Sequence, residues 1–191
     1  DFVMLRSDAV GDPYFIGRIM SIPDPTQVVI QWFYRPQDIL KTRARGHPSR
    51  QLLATMYSDT NPRRAIVDKC VVRHVSEIAD LVDYCSQPNH FYFEHLYERF
   101  IKRLYDVVPS SKVTNRPPKV LEKLRQFPYV LIEEGKEGEL TKPYLECKIC
   151  DQWIEHGSGL HCALCDLTYH RHCLPGVNRA RAGFEWVCHW C

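Results

Sequence analysis

The chain has 191 residues, 45% of them hydrophobic and 25% charged, which suits one ordinary globular domain plus a small second module. A formal net charge of +2 argues against a polybasic nucleic-acid binder, and no apolar run approaches the roughly 20 residues that cross a bilayer as a helix. The chain does not open with Met, shows no signal peptide, and stops on a prospective metal ligand, Cys191, so a piece of a longer protein is expected.

Residues 14–20 and 28–34 are rich in β-branched and aromatic side chains and read as strands. The turn chemistry of residues 21–26 makes them a hairpin, and the Arg35-Pro36 step ends the second strand. A polar, basic loop follows over residues 41–50. Residues 69–75 form another strand, with Cys70, Val72 and His74 on one face. Ser76 can cap a short helix over 77–84. Apolar residues at helical spacing predict a longer helix over 93–105, with Glu98 and Lys102 as an i,i+4 pair on its outer side. Pro117-Pro118 opens a helix through Gln126, residues 129–132 read as a strand, and residues 133–142 look like a linker.

The chemistry is densest in residues 147–191. The pairs Cys147/Cys150, Cys162/Cys165, His170/Cys173 and Cys188/Cys191 each have two residues between them, and seven of the nine cysteines are used in this way. A two-residue gap lets a tight turn bring both side chains onto one ion, and eight donors are enough for two tetrahedral zinc sites. A disulfide framework would not explain the histidine in fifth place. In such a series pairs one and three commonly share one metal and pairs two and four the other. On that cross-braced scheme Cys147, Cys150, His170 and Cys173 bind one zinc, and Cys162, Cys165, Cys188 and Cys191 the second. Some 45 residues bury too little apolar area to fold alone, and structural zinc contributes about 10–16 kcal/mol of apparent binding free energy. Full sites leave no open position for catalysis. Thiolate ligands in this number point to a reducing compartment.

Four cysteines, one histidine and three cysteines, with Trp186 two residues before Cys188, resemble the PHD finger family. A RING finger normally has its histidine in fourth place, held here by Cys165. Upstream, Phe15-Ile-Gly-Arg-Ile19 followed by Trp32-Phe-Tyr-Arg-Pro36 resembles a BAH domain. The two together are similar to chromatin regulators, most of all to fungal BAH–PHD proteins of histone-modifying complexes. The resemblance implies a mixed, β-rich fold. A BAH-type, β-barrel-like domain with appended helices would cover residues 1–106, with its N-terminal edge truncated. A helical extension and linker would follow over 107–142, and a cross-braced two-zinc PHD finger over 143–191.

Trp32 and Tyr34, two apart on a strand, face the same way, and Phe15 on the partner strand can join them. Such a box holds a methylated ammonium by cation–π attraction, about 0.5–2 kcal/mol per face. BAH domains that bind methyl-lysine carry aromatics at positions resembling these three, with an acidic position matching Asp38. The competing reading is that the rings simply pack a small barrel. In the finger, the position two before His170 is Thr168, where readers of the trimethylated fourth lysine of histone H3 usually carry Trp, and Trp153 alone makes no cage. The resemblance is therefore to fingers that bind an unmodified histone H3 tail or are structural. Within 147–191, Lys148, Arg171, Arg179 and Arg181 balance Asp151, Glu155, Asp166 and Glu185. A Cys₃His site formally adds −1 and a Cys₄ site −2, so the loaded module sits near −3, which suits a basic tail better than DNA. Lys41, Arg43, Arg45 and Arg50, with Arg63 and Arg64, are either a solvated face or contacts to a nucleosome.

Enzyme chemistry is not expected. Cys70 and His74 share a strand face, but about 13 Å would separate their Cα atoms at the usual strand rise. The functional expectation is a nuclear chromatin reader or recruiter, with no membrane or small-molecule substrate, working with subunits of a histone deacetylase or demethylase complex. The alternatives are a scaffold that reads no mark and a RING-like ubiquitin ligase.

Overall fold

The structure is a computed structural model that describes residues 1–7, 13–39, 49–155, 157–174 and 185–191. The chain divides into two compact units, residues 1–107 with 131–134, and residues 108–130 with 135–191.

The first unit is a β-barrel. Its strands are β1 (Phe2–Leu5), β2 (Phe15–Asp24), β3 (Gln27–Tyr34), β4 (Gln51–Pro62), β5 (Ile66–His74), β6 (His90–Glu98) and β7 (Arg103–Pro109), with a one-turn helix α1 (Pro36–Ile39) and a short helix α2 (Leu81–Ser86). Hydrogen-bonded neighbours run β4-β3-β2-β1-β5-β6-β7, and β6 also pairs with β4, which closes six strands into a ring. The β4–β6 and β5–β6 pairs are parallel and the other described pairs antiparallel. Later in the chain, β8 (Tyr129–Glu133) extends this sheet beside β7.

The β2–β3 hairpin forms as its turn residues predict. Asp24 Oδ1 accepts from both Thr26 N (2.7 Å) and Thr26 Oγ1 (2.6 Å), a local bond that competes with strand continuation and fixes the turn. Gly17 sits opposite Trp32 in the register, and a Cβ there would lie 2.2 Å from Ile30 Cγ2. Glycine is what lets β2 and β3 approach at this point. Val3, Leu5, Val28 and Ile30 form one core cluster, and Phe33 packs edge-on against Phe2 (5.5 Å) and Phe93 (5.6 Å). Cys70, Val72 and His74 are all buried, as their shared strand face requires.

The helix expected over 93–105 is not present; that stretch is the β6–β7 hairpin, with Tyr97 opposite Leu104 and Glu98 opposite Arg103. Lys102 turns the chain at φ 54°. The apolar spacing misleads because β6 is a central strand. Phe91, Tyr92 and Phe93 are buried in succession, so no alternation marks the strand. Phe100, placed by a helix in the apolar stripe, is 79% exposed, and Glu98 accepts from Phe100 N rather than pairing with Lys102 along a helix. The helix expected over 77–84 is shifted. Asp80 caps α2 through Val82 N and Asp83 N, while Ser76 bonds His74.

In the second unit, α3 (Pro118–Leu124) starts with proline in its first turn, and α4 (Glu137–Thr141) lies within the stretch expected to be linker. Two small ladders follow, β9 (Leu145–Glu146) with β10 (Trp153–Ile154), and β11 (Gly159–His161) with β12 (Thr168–His170). Their core is Cys147, Ile154, Leu160, Cys162, Tyr169, Leu174 and Cys188. Thr114 N and Asn115 N both donate to Leu140 O, and Thr114 Oγ1 donates to Lys142 O at 2.6 Å. Asn115, wholly buried, accepts the Trp153 indole N–H at 3.1 Å. The residues ahead of the cysteines are therefore bonded into the same unit.

Candidate functional site

The barrel unit carries a cavity of about 770 Å³. Phe15 from β2, Trp32 and Tyr34 from β3, and Asp38 from α1 all line it. Phe15 and Trp32 meet edge-on, centroids 6.1 Å apart. Strand alternation separates the roles on β3: Trp32 and Tyr34 stay half-buried, whereas Phe33 between them enters the core. Tyr57 and Asp59, two apart on β4, Arg99 from the β6–β7 turn, and Arg6, Tyr14 and Arg35 also line it. The Trp32 indole donates to Asp59 Oδ1 at 2.9 Å, and the Tyr57 hydroxyl donates to Asp59 Oδ2 at 3.3 Å. One carboxylate thus orients two rings. Burial raises the Tyr34 phenol above its usual range, opposed by the charge of Arg99 and its hydrogen bond.

Sequence reasoning missed Tyr57, Asp59 and Arg99. The signal for the first two was the Tyr-Ser-Asp alternation, readable only once residues 51–62 are recognised as a strand. Arg99 was assigned to a helix, which hid it. Of the basic candidates, Lys41, Arg43 and Arg45 lie outside the described residues. The Arg50 guanidinium stacks over Phe91 at 5.4 Å from its centroid, with Arg35 at 5.6 Å over the same ring. Arg63 and Arg64 are exposed in a tight turn between β4 and β5.

The second unit gathers the eight cysteine and histidine donors into two sets. The ligand atoms of Cys147, Cys150, His170 and Cys173 lie within 4.8 Å of one another, and so do those of Cys162, Cys165, Cys188 and Cys191. Two similar turns present the first members. Asp151 follows Cys150 at φ 53° and Asp166 follows Cys165 at φ 57°, and each donates its N–H back to the first cysteine's carbonyl. His170 Nδ1 faces Cys150 Sγ (3.3 Å), while Nε2 is 3.0 Å from the Trp153 carbonyl. A carbonyl can only accept, so Nε2 carries the proton and Nδ1 keeps its lone pair for a metal. Burial acts to raise the Cys147 thiol, but the N–H groups of His170, Cys150 and Ile149 outweigh it and bring it down to about 6. Cys162 falls to about 6 likewise, through the N–H groups of Cys188, Cys165 and Leu164. Sulfur separations in the second set run 3.5–3.8 Å, against about 2.05 Å for a disulfide. Three thiols with an imidazole, and four thiols, fit two tetrahedral ions with N/S preference.

Cys70 sits in surroundings that disfavour a thiolate. Burial, then the Asp68 charge, pushes its thiol up to about 12, which leaves it protonated. Thr168 is buried and bridges to Cys147, so no ring stands two residues before His170.

A strand barrel with an aromatic cavity, joined to a cysteine-rich module with PHD-like donor sets, defines a class of modular protein that carries binding surfaces on small folds. The BAH domain family model matches residues 1–109, more than half of the chain, and the chain belongs to that family. Over all of its length it is similar to the "Lid2 complex component snt2" of Schizosaccharomyces pombe, 33% identical over 203 residues. It is also similar to the "E3 ubiquitin-protein ligase SNT2" of Saccharomyces cerevisiae, 24% identical over 241 residues. The chain spans only 18% and 17% of those two proteins. Half of it is similar to 42% of the "Chromatin remodeling protein EBS" of Arabidopsis thaliana, 24% identical over 99 residues.

Proposed function

We propose that this chain is a nuclear, chromatin-associated reader whose barrel binds a methylated lysine of a histone tail. The observation that carries the reading is that one cavity is lined by Phe15, Trp32, Tyr34 and Asp38, with Asp59 accepting the Trp32 indole N–H at its edge. Aromatic faces next to carboxylates attract a methylated ammonium while excluding the water that a bare ammonium needs. The names of the relatives, a complex component and a chromatin remodeling protein, support the chromatin setting and membership of a larger complex. The partners proposed within it are subunits of a histone deacetylase or demethylase complex. Residues 1–106 would form the reader, 107–142 an extension and linker, and 143–191 the finger.

Two zinc ions fit the donor sets best: Cys147, Cys150, His170 and Cys173 would hold one, and Cys162, Cys165, Cys188 and Cys191 the other. Bound there, zinc supplies structural stability, since all four places of each set are filled by the protein. The finger then binds an unmodified histone H3 tail or acts structurally. The use of the Trp153 indole by buried Asn115 favours these over a methyl-lysine cage on the finger. Arg50, with Lys41, Arg43 and Arg45, would add nucleosome contact.

The ligase named for the budding-yeast relative is the competing reading, favoured by that similarity alone. Donor order argues against it, because His170 stands in fifth place. A modified-histone peptide array, probed with the whole chain and with Trp32→Ala, tests the proposal. Methyl-dependent signal lost in the variant supports it; no signal on any peptide removes it in favour of a scaffold. Transfer of ubiquitin by the chain would establish the rival.

A further inference from the structure

We infer that Arg99 is a resident cation in the aromatic cavity, and that it sets how tightly the site takes a methylated ammonium. The inference rests on the methyl-lysine reading above. Arg99 Cζ lies 4.1 Å from the centroid of Tyr57, the shortest cation–ring distance among the described residues. At that distance the guanidinium covers a face that a ligand cation would otherwise use. Tyr34 lines the same cavity, and the positive charge of Arg99 acts on its phenol as well. Tyr57 and Arg99 also line a second cavity of about 220 Å³, so the pair forms a wall common to both spaces.

Charge points the same way. Among the described residues the larger cavity is lined by Arg6, Arg35 and Arg99 against Asp38 and Asp59, a formal balance of +1 (three cations less two carboxylates). A site for a cation should not be net positive, and Arg99 is the cation that both covers a ring and is free to withdraw. Arg6 and Arg99 are both solvent-exposed, but of the two it is Arg99, in the turn between β6 and β7, that lies over a ring of the cavity, whereas Arg35 is half-buried, donates to Tyr14 O and stacks on Phe91. Withdrawal of Arg99 uncovers Tyr57 and turns the lining from +1 to neutral. The ligand must displace it, and its affinity is lowered by whatever the Arg99–Tyr57 stack is worth.

The test is a titration of the 191-residue chain with Nα-acetyl-Nε-trimethyllysine methylamide, followed through the Trp32 indole N–H resonance. Wild type, Arg99→Gln and Trp32→Ala are compared, the last as a binding control by calorimetry. Removing an exposed cation–π pair should tighten binding two- to five-fold, equivalent to about 0.5–1 kcal/mol. Tighter binding in Arg99→Gln, with none in Trp32→Ala, supports the inference. Equal or weaker binding in Arg99→Gln, with wild type binding and Trp32→Ala silent, overturns the role of Arg99 and leaves the cage standing. Absence of binding in both wild type and Arg99→Gln overturns the cage, and the inference with it.

Discussion

Gly17→Ala should destabilise the barrel, against the usual sign of a glycine replacement in a strand. Exchanging an interior strand glycine for alanine ordinarily gains roughly 0.5–1 kcal/mol by restricting the unfolded chain. Here the new methyl would sit 2.2 Å from Ile30 Cγ2, 3.2 Å from the Gln31 carbonyl and 3.6 Å from Leu5 Cδ1. Ile30 is wholly buried and cannot swing into solvent, so β2 and β3 must part or Ile30 must leave its rotamer. Overpacking of this kind costs about 1–3 kcal/mol, which lowers the melting temperature of a domain this size by roughly 4–20 °C. Thermal and urea unfolding, followed by near-UV circular dichroism, measures it. The double variant Gly17→Ala/Ile30→Ala should lose less than the sum of its two single changes, because the second change vacates the space the first one fills. Unchanged or raised stability in Gly17→Ala, or strict additivity in the double variant, would refute the packing account.

Chelation should unfold the second unit and leave the barrel transition in place; elemental analysis of the purified chain should find two equivalents of zinc beforehand. Asn115→Ala leaves the Trp153 indole without its acceptor and should cost that unit about 1–3 kcal/mol, read as an earlier chelation or urea midpoint. For the same reason residues 143–191 alone should be less stable than residues 108–191. Cys70 is held up at about 12 from an ordinary value near 9, so the fold favours its neutral form. Its contribution is complete below pH 9 and is lost as pH rises toward 12, because the unfolded chain releases that proton first. Stability measured between pH 8 and 11 should fall, and less steeply in Cys70→Ala.

The donor series was legible because chelation is local: each pair needs only a turn, and two residues of spacing encode it. The β2–β3 hairpin was legible for a similar reason, since its alternation and its Asp24–Thr26 turn lie within one short stretch. Residues 93–105 were misread because what decides their conformation is distant in sequence. β6 pairs with β5, β4 and β7, and Phe91, Tyr92 and Phe93 at its start are buried in succession, so both faces are covered there. A strand buried on both faces loses the period-two signature and, with Phe100 and Ile101 in its turn, imitates a helical stripe. That error concealed Arg99. Missing β4 concealed Tyr57 and Asp59. Half of the cavity thus depended on long-range pairing that spacing does not report. The strap of residues 114–115 onto 140–142 was invisible because its bonds run through backbone carbonyls.

The central claim is that the rings around Trp32 recognise a methylated ammonium. Calorimetric titration of the chain with the array's best histone peptide, in trimethylated and unmodified forms, tests it most directly. The account predicts binding of the methylated form that exceeds the unmodified one by at least about tenfold, roughly 1.4 kcal/mol, and loses that margin in Trp32→Ala. Equal affinity for the two forms, or a margin that survives Trp32→Ala, would contradict it.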